Sequence, residues 1–175
     1  MKKIKLIRTY GPLPALTKKI SNRENPPGQH GVSQTKKKQS QYSIRLIEKQ
    51  KVRLNYALSE KQFVRYVNQA KRSSELTGSA LLHLLENRLD TSIYREGFAP
   101  TILAARQLVT HKHISVNGKI INIPSYQCKN GDELQTQRKL PSEKVKVILN
   151  RTQINRPMIE LNVQERLVVE YYSRK

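Results

Sequence analysis

Arg88, Arg95, Arg106 and Gln107, then His111, Lys112, Asn117, Gly118 and Lys119, concentrate hydrogen-bonding groups in one stretch of a 175-residue chain. A guanidinium is a planar fork that matches phosphate oxygens, and a primary amide both donates and accepts. Such a set can bond phosphates, 2′-hydroxyls and base edges if the fold brings it to one surface. The alternative is an ordinary helix–hairpin whose polar face is merely solvated.

Catalysis finds little to work with. His111 and His113 are one residue apart, so on a strand they would share a face and could hold a metal. No cysteine is near them and acidic residues are scarce, so no metal site is expected. His83 lies in a leucine-rich stretch and reads as partly buried or capping. Cys128 is the sole cysteine, which forbids an internal disulfide and any multi-cysteine zinc cluster. The chain has neither a Walker-type phosphate loop nor a dinucleotide fingerprint. Glu86 and Asp90 are better explained by pairing with Arg88 or Arg95 than as an acid–base pair. No enzyme activity and no cofactor are expected.

The charge balance points to a polyanion. Thirty-three Lys and Arg face thirteen Asp and Glu, a net of +20. Residues 1–53 hold fourteen of the basic groups and only two Glu. Such an excess repels itself in a compact chain, so a polyanionic partner is the simplest explanation. No apolar run approaches the ~18 residues of a membrane span. The broken apolar start, MKKIKLIRTYG, is too short for a signal-peptide core. The expectation is a soluble, intracellular chain without membrane contact.

The donors need elements to position them, and the sequence punctuates these clearly. Residues 11–41 carry GPLP, NPPGQHG and the run Lys36-Lys37-Lys38, which is turn and loop chemistry. The first forty residues are therefore expected to be extended, and ordered mainly when laid on a nucleic acid. A helix is expected over 43–57. Ser59 and Gln62 have capping-box spacing and open a second helix, with Phe63, Val64, Tyr66, Val67 and Ala70 on its apolar face. Thr77-Gly78-Ser79 starts a leucine-rich helix through Leu89, with a stop at Gly97. Pro100-Thr101 opens a short helix to about Thr110 that turns Ile102, Ala105 and Leu108 inward. The period then changes to two around Asn117-Gly118, the strongest short-range hairpin signal. Further strands are expected at Glu133–Thr136, Met158–Leu161 and Leu167–Tyr172.

The fold class this predicts is α+β. A basic extended arm (1–41) precedes a helical region (42–87). A small α/β unit (88–150) follows, with two short helices, a hairpin and further strands. Residues 151–175 are expected to supply strands and a tail that pack back on the helical region.

At residues 88–134, RLDTSIYREGFAPTILAARQLVTHKHISVNGKIINIPSYQCKNGDEL closely resembles the RNA-binding domain named after small-subunit ribosomal protein four. Tyrosyl-tRNA synthetases, pseudouridine synthases and a heat-shock RNA-binding protein share that domain. PPGQHG at 26–31 and EKQKVRLNYALSEKQFVRYV at 48–67 resemble the ribosomal family and not those other owners. LVVEYYSRK at 167–175 is similar to that family's ending.

The resemblance implies a primary binder of small-subunit rRNA that docks on a multi-helix junction in the 5′ domain and nucleates subunit assembly. It further implies contact with the neighbouring small-subunit protein five, a part in decoding accuracy, and proximity to mRNA at the mouth of its channel. Carried over by matching position, the RNA face would include Arg88, Arg95, Arg106, Gln107, His111, Asn117 and Gly118. Gln29, His30, Lys49, Lys51 and Arg53 would add amino-terminal contacts. Some bacterial members carry a zinc-binding cysteine cluster near the amino terminus; this chain has none there. The segment between Leu134 and the closing LVVEYYS also reads as short for the family. GFAPTILAARQLV is closer to cyanobacterial and plastid members than to enteric ones. With no transit peptide read at the start, the expected setting is an organelle-encoded protein of a plastid ribosome, with a bacterial cytoplasm as the alternative. A pseudouridine synthase borrowing the domain would need a catalytic domain with an essential Asp, yet Asp90 and Asp132 both lie inside the domain.

Overall fold

The structure is a computed structural model and describes residues 3–33, 39–136, 146–149, 161 and 163–173. Helix α1 (Lys3–Tyr10) precedes a helical group of α2 (Gln41–Asn55), α3 (Glu60–Ala70) and α4 (Thr77–Glu86). Helices α5 (Leu89–Arg95) and α6 (Ile102–Thr110) then lead into strands β1 (Ile114–Val116), β2 (Lys119–Ile120), β3 (Glu133–Thr136) and β4 (Lys146–Ile148). Helix α7 (Glu165–Ser173) comes last. The sheet is antiparallel in the order β2-β1-β3-β4.

Local chemistry accounts for most element boundaries. Ser40 Oγ accepts from Ser43 N at the start of α2. At α3 the capping box closes: Ser59 Oγ accepts from Gln62 N, and Gln62 Oε1 accepts from Ser59 N. Thr101 Oγ1 caps α6 through Ala104 N. Each cap is worth about 1 kcal/mol. Asn117 (φ 50°) and Gly118 (φ 78°) both take the positive φ that a two-residue Asn-Gly hairpin requires.

Two cores result. Val52, Tyr56, Phe63, Val67, Leu81 and Leu85 build the first, joined by Ala15, Ile102 and Val168. Leu89, Ile93, Phe98, Val109, Ile114 and Leu134 build the second. Helix α6 serves both, because Ile102 points into the first while Ala105, Leu108 and Val109 enter the second. Tyr94 packs against each.

Three expectations are corrected. The amino-terminal segment is not simply extended. Residues Lys3–Tyr10 are helical, and Leu13, Ala15 and Leu16 are buried. Ala15 N donates to Asn55 Oδ1 at 3.2 Å, and Ala15 O accepts from Ile102 N at 2.9 Å. Burial of those apolar side chains outweighs the self-repulsion of the neighbouring lysines. The lysine run at 36–38 lies outside the described residues.

The leucine-rich helix does not continue to Leu89. It ends at Glu86, and Arg88 takes an extended conformation that bridges to Gln127. Cys128 N donates to Asn87 O and Leu89 N to Tyr126 O, so a return strand segment occupies the break.

Leu167–Tyr172 is helical, not a strand. Val168 and Tyr172, four residues apart, share the face that meets the first core, and α7 packs on α2 and α4. The paired Val168-Val169 and Tyr171-Tyr172 mimic strand composition, but their burial follows the helical period. The expected strand at Met158–Leu161 lies outside the described residues, apart from Leu161.

Candidate nucleic-acid interface

The break between α4 and α5 places Arg88 beside Asp90 in the interior. Arg88 Nε and Nη2 donate to Asp90 Oδ1 and Oδ2 at 2.9 and 2.7 Å, and Nη1 donates to Tyr66 Oη at 2.7 Å. Arg88 is 1% exposed and Asp90 is fully buried. Burial alone would lower the Arg88 pKa; the bonds and charge of Asp90 outweigh it and raise it above the ordinary arginine value. Arg88 therefore does not face a partner, contrary to expectation. It is consumed inside the fold because an arginine left unpaired there would be prohibitively costly.

Arg106 is corrected as well. It was expected to point outward, but its Nη2 meets Asp90 Oδ2 at 2.8 Å, while Nη1 donates to Ala57 O at 2.8 Å. Its Nε and Nη2 also reach Asp90 Oδ2 and Tyr56 O at 3.2 and 3.3 Å. Asp90 thus holds the Arg106 guanidinium against the fold. Arg95 Nε pairs with Glu86 Oε2, and Glu86 Oε1 accepts from Tyr56 Oη. Burial, reinforced by that carboxylate, raises the Tyr56 phenol well above its usual value.

The amino-terminal basic residues are partly engaged too. Lys49 is buried, 2.9 Å from Glu60 Oε1 and 4.8 Å over the Tyr171 ring. Arg53 bonds Gln50 and Leu58 O and approaches Glu60, and Lys51 pairs with Glu48. Burial would raise the Glu60 carboxyl, but hydrogen bonds from Lys49 and Tyr172 win and hold it below its ordinary value.

The remaining expected residues are exposed. Gln29 and His30 stand on a loop whose start is held to α1, because Arg8 donates to Asn25 O at 2.8 Å and Pro26 O at 3.0 Å. Only glycine fits at Gly31, where a Cβ would lie 2.0 Å from Pro26 O. Gln107, His111 and Lys112 are exposed around the end of α6. Gly118 and Lys119 are exposed at the hairpin. Asn117 is exposed but also structural: its Nδ2 donates to Asp132 Oδ1, and its Oδ1 accepts from Glu133 N, each at 2.9 Å.

Sequence reasoning thus found the exposed groups and the pairing of Asp90 and Glu86 with Arg88 and Arg95, but not the burial of the Arg88–Asp90 pair. Tyr66 as a partner of Arg88 and Arg8 as a loop anchor have no signal in the sequence. For the buried pair, the one available signal was Asp90 lying two residues after Arg88 at a helix start. Among the described residues, no group of three or more metal-binding side chains occurs, and no helix is long and apolar enough to cross a membrane.

Comparison with known proteins agrees with this architecture. A family model described as the Ribosomal protein S4/S9 N-terminal domain matches residues 1–86, and one described as the S4 domain matches residues 87–134. The small ribosomal subunit protein uS4 of Trichormus variabilis is 47% identical over 198 aligned positions, covering 99% of this chain and 96% of that protein. That of a Cyanothece strain is 48% identical with the same coverage. The small ribosomal subunit protein uS4c of Prototheca wickerhamii is 47% identical over 200 positions, again with the same coverage. These alignments exceed the 175 residues of the chain, so the relatives carry residues that it lacks. The chain belongs to the uS4 family of small ribosomal subunit proteins, and with that family it is structural and non-enzymatic.

Proposed function

We propose that this protein is a structural constituent of the small ribosomal subunit and a primary binder of its rRNA. It docks on a multi-helix junction in the 5′ domain, nucleates assembly and takes part in translational accuracy. The observation that carries the reading is a division of labour among its polar groups. Arg88, Arg95 and Arg106 hold the frame through Asp90 and Glu86. Gln29, His30, Gln107, His111, Lys112, Gly118 and Lys119 stay exposed on a chain of net charge +20. Asn117 shapes the hairpin and presents Lys119. Lys49, Lys51 and Arg53 contribute mainly through packing and field, since each already has a carboxylate neighbour.

The same reading places the protein in a plastid ribosome, beside small-subunit protein five and near the mRNA path. A footprint of the full chain on a cyanobacterial small-subunit rRNA transcript tests it. Protection should cluster at one junction of the 5′ domain. Protection scattered without preference over the transcript would contradict specific docking.

A further inference from the structure

Gln107, His111 and His113 line a cleft of about 200 Å³ whose apolar walls include Phe98, Pro100 and Leu108. The two imidazoles lie 28° from parallel with ring centroids 6.2 Å apart. Among the described residues, neither imidazole and no side-chain atom of Gln107 has a hydrogen-bond partner. Lys112 is exposed between the two histidines and ion-pairs with no described carboxylate. The cleft therefore combines flat aromatic surface, apolar walls and one amide without a described partner, and an exposed lysine stands in sequence between its two histidines.

Its size selects among ligands. Pockets that enclose a whole small molecule occupy roughly 300–1,000 Å³, so this one takes a single ring system and leaves the rest outside. Two imidazoles alone are too few to bind a zinc-type metal firmly. A nucleobase satisfies every feature. Its π-face stacks on imidazole and apolar surface, its edge can pair with a primary amide, and its phosphate backbone stays outside near a lysine. We propose that this cleft receives one unstacked RNA base, with Gln107 bonding its edge and Lys112 facing the adjoining phosphate. The proposal deepens the rRNA-binding reading above and rests on it.

The test uses the full chain and two readouts. In the first, the His111 and His113 ring signals are followed by NMR during titration with the four nucleoside 5′-monophosphates, with ribose 5-phosphate as the baseless control. Both histidines should shift with at least one nucleotide and not with ribose 5-phosphate. Equal shifts with ribose 5-phosphate would show an anion site and overturn the proposal. In the second, Ala104→Trp plugs the cleft, Ala104 being one of its lining residues, and His113→Ala removes one stacking face without adding bulk. Melts confirm that each variant folds. Affinity for a 5′-domain rRNA transcript should fall roughly 5- to 150-fold, the equivalent of one lost base stack, with the salt dependence unchanged. Wild-type affinity in both variants would overturn the base site while leaving phosphate-led rRNA binding intact. Failure of the unmodified chain to bind the transcript would overturn the rRNA reading itself, and the base site with it.

Discussion

Arg106 on α6 meets Asp90 on α5 at 2.8 Å, and the same guanidinium reaches across to the carbonyls of Tyr56 and Ala57 that follow α2. One side chain thereby ties the α/β unit to the helical region. Asp90 also accepts both forks of Arg88, which is anchored to Tyr66 of α3. Asp90 is thus a buried carboxylate shared by the two parts of the molecule, beside the Arg95–Glu86–Tyr56 link and the packing of α6 on both cores.

Removing that carboxylate should be severe. Asp90→Ala leaves Arg88 buried without its counter-charge, and breaking a buried pair costs about 3–5 kcal/mol. Arg106→Ala should cost less, roughly 1–3 kcal/mol, because Asp90 keeps Arg88 and Arg106 is partly exposed. Urea denaturation of the single and double variants checks this. A coupling energy near zero between the two positions would mean that the contact does not hold the parts together.

The amino-terminal segment yields a second expectation. Leu13 is 1% exposed and lies two residues before Ala15, which bonds to both Asn55 and Ile102. Leu13→Ala should destabilise by about 2–5 kcal/mol. Ile20→Ala, at an exposed position, should change stability little. Equal melting temperatures for the two variants would show that residues 11–17 are a passive tail.

Glu60 predicts a pH dependence. Its folded pKa lies below the ordinary value because Lys49 and Tyr172 bond the ionised form more strongly than burial opposes it. A depressed carboxyl contributes stability above its unfolded pKa, about 4.3, and loses it as pH falls through the lower folded value. The stability gap between wild type and Glu60→Gln should be constant from about pH 7 to pH 5 and close below about pH 4.3. Denaturation across that range measures it, and a gap that widens on acidification would reverse the assigned sign.

The local grammar of the fold was legible in the sequence. The Ser59–Gln62 box, the Thr101 cap and the Asn117-Gly118 turn are short-range devices, and each stands where its spacing predicts it. The errors share a cause. Ala15 and Val168 owe their places to partners distant in the chain, and Arg88 is held by Tyr66 and Gln127 as well as by nearby Asp90; neither lysine-rich composition nor a β-branched run reports such partners. The site divided along the same line. Exposed donors such as Lys112 and Lys119 were recognisable by type. Arg88 and Arg106 looked the same in sequence, and only the position of Asp90 shows that they face inward.

The most direct test of the account is the salt dependence of binding to the 5′-domain transcript, wild type against a Lys112→Gln, Lys119→Gln double variant. If exposed lysines meet phosphates, wild type should show a steep negative log–log slope, and each lost contact should reduce it by about 1. Melting should be nearly unchanged, because among the described residues neither lysine has an ion-pair partner. A wild-type slope near zero, or an unchanged slope in the double variant, would contradict the account.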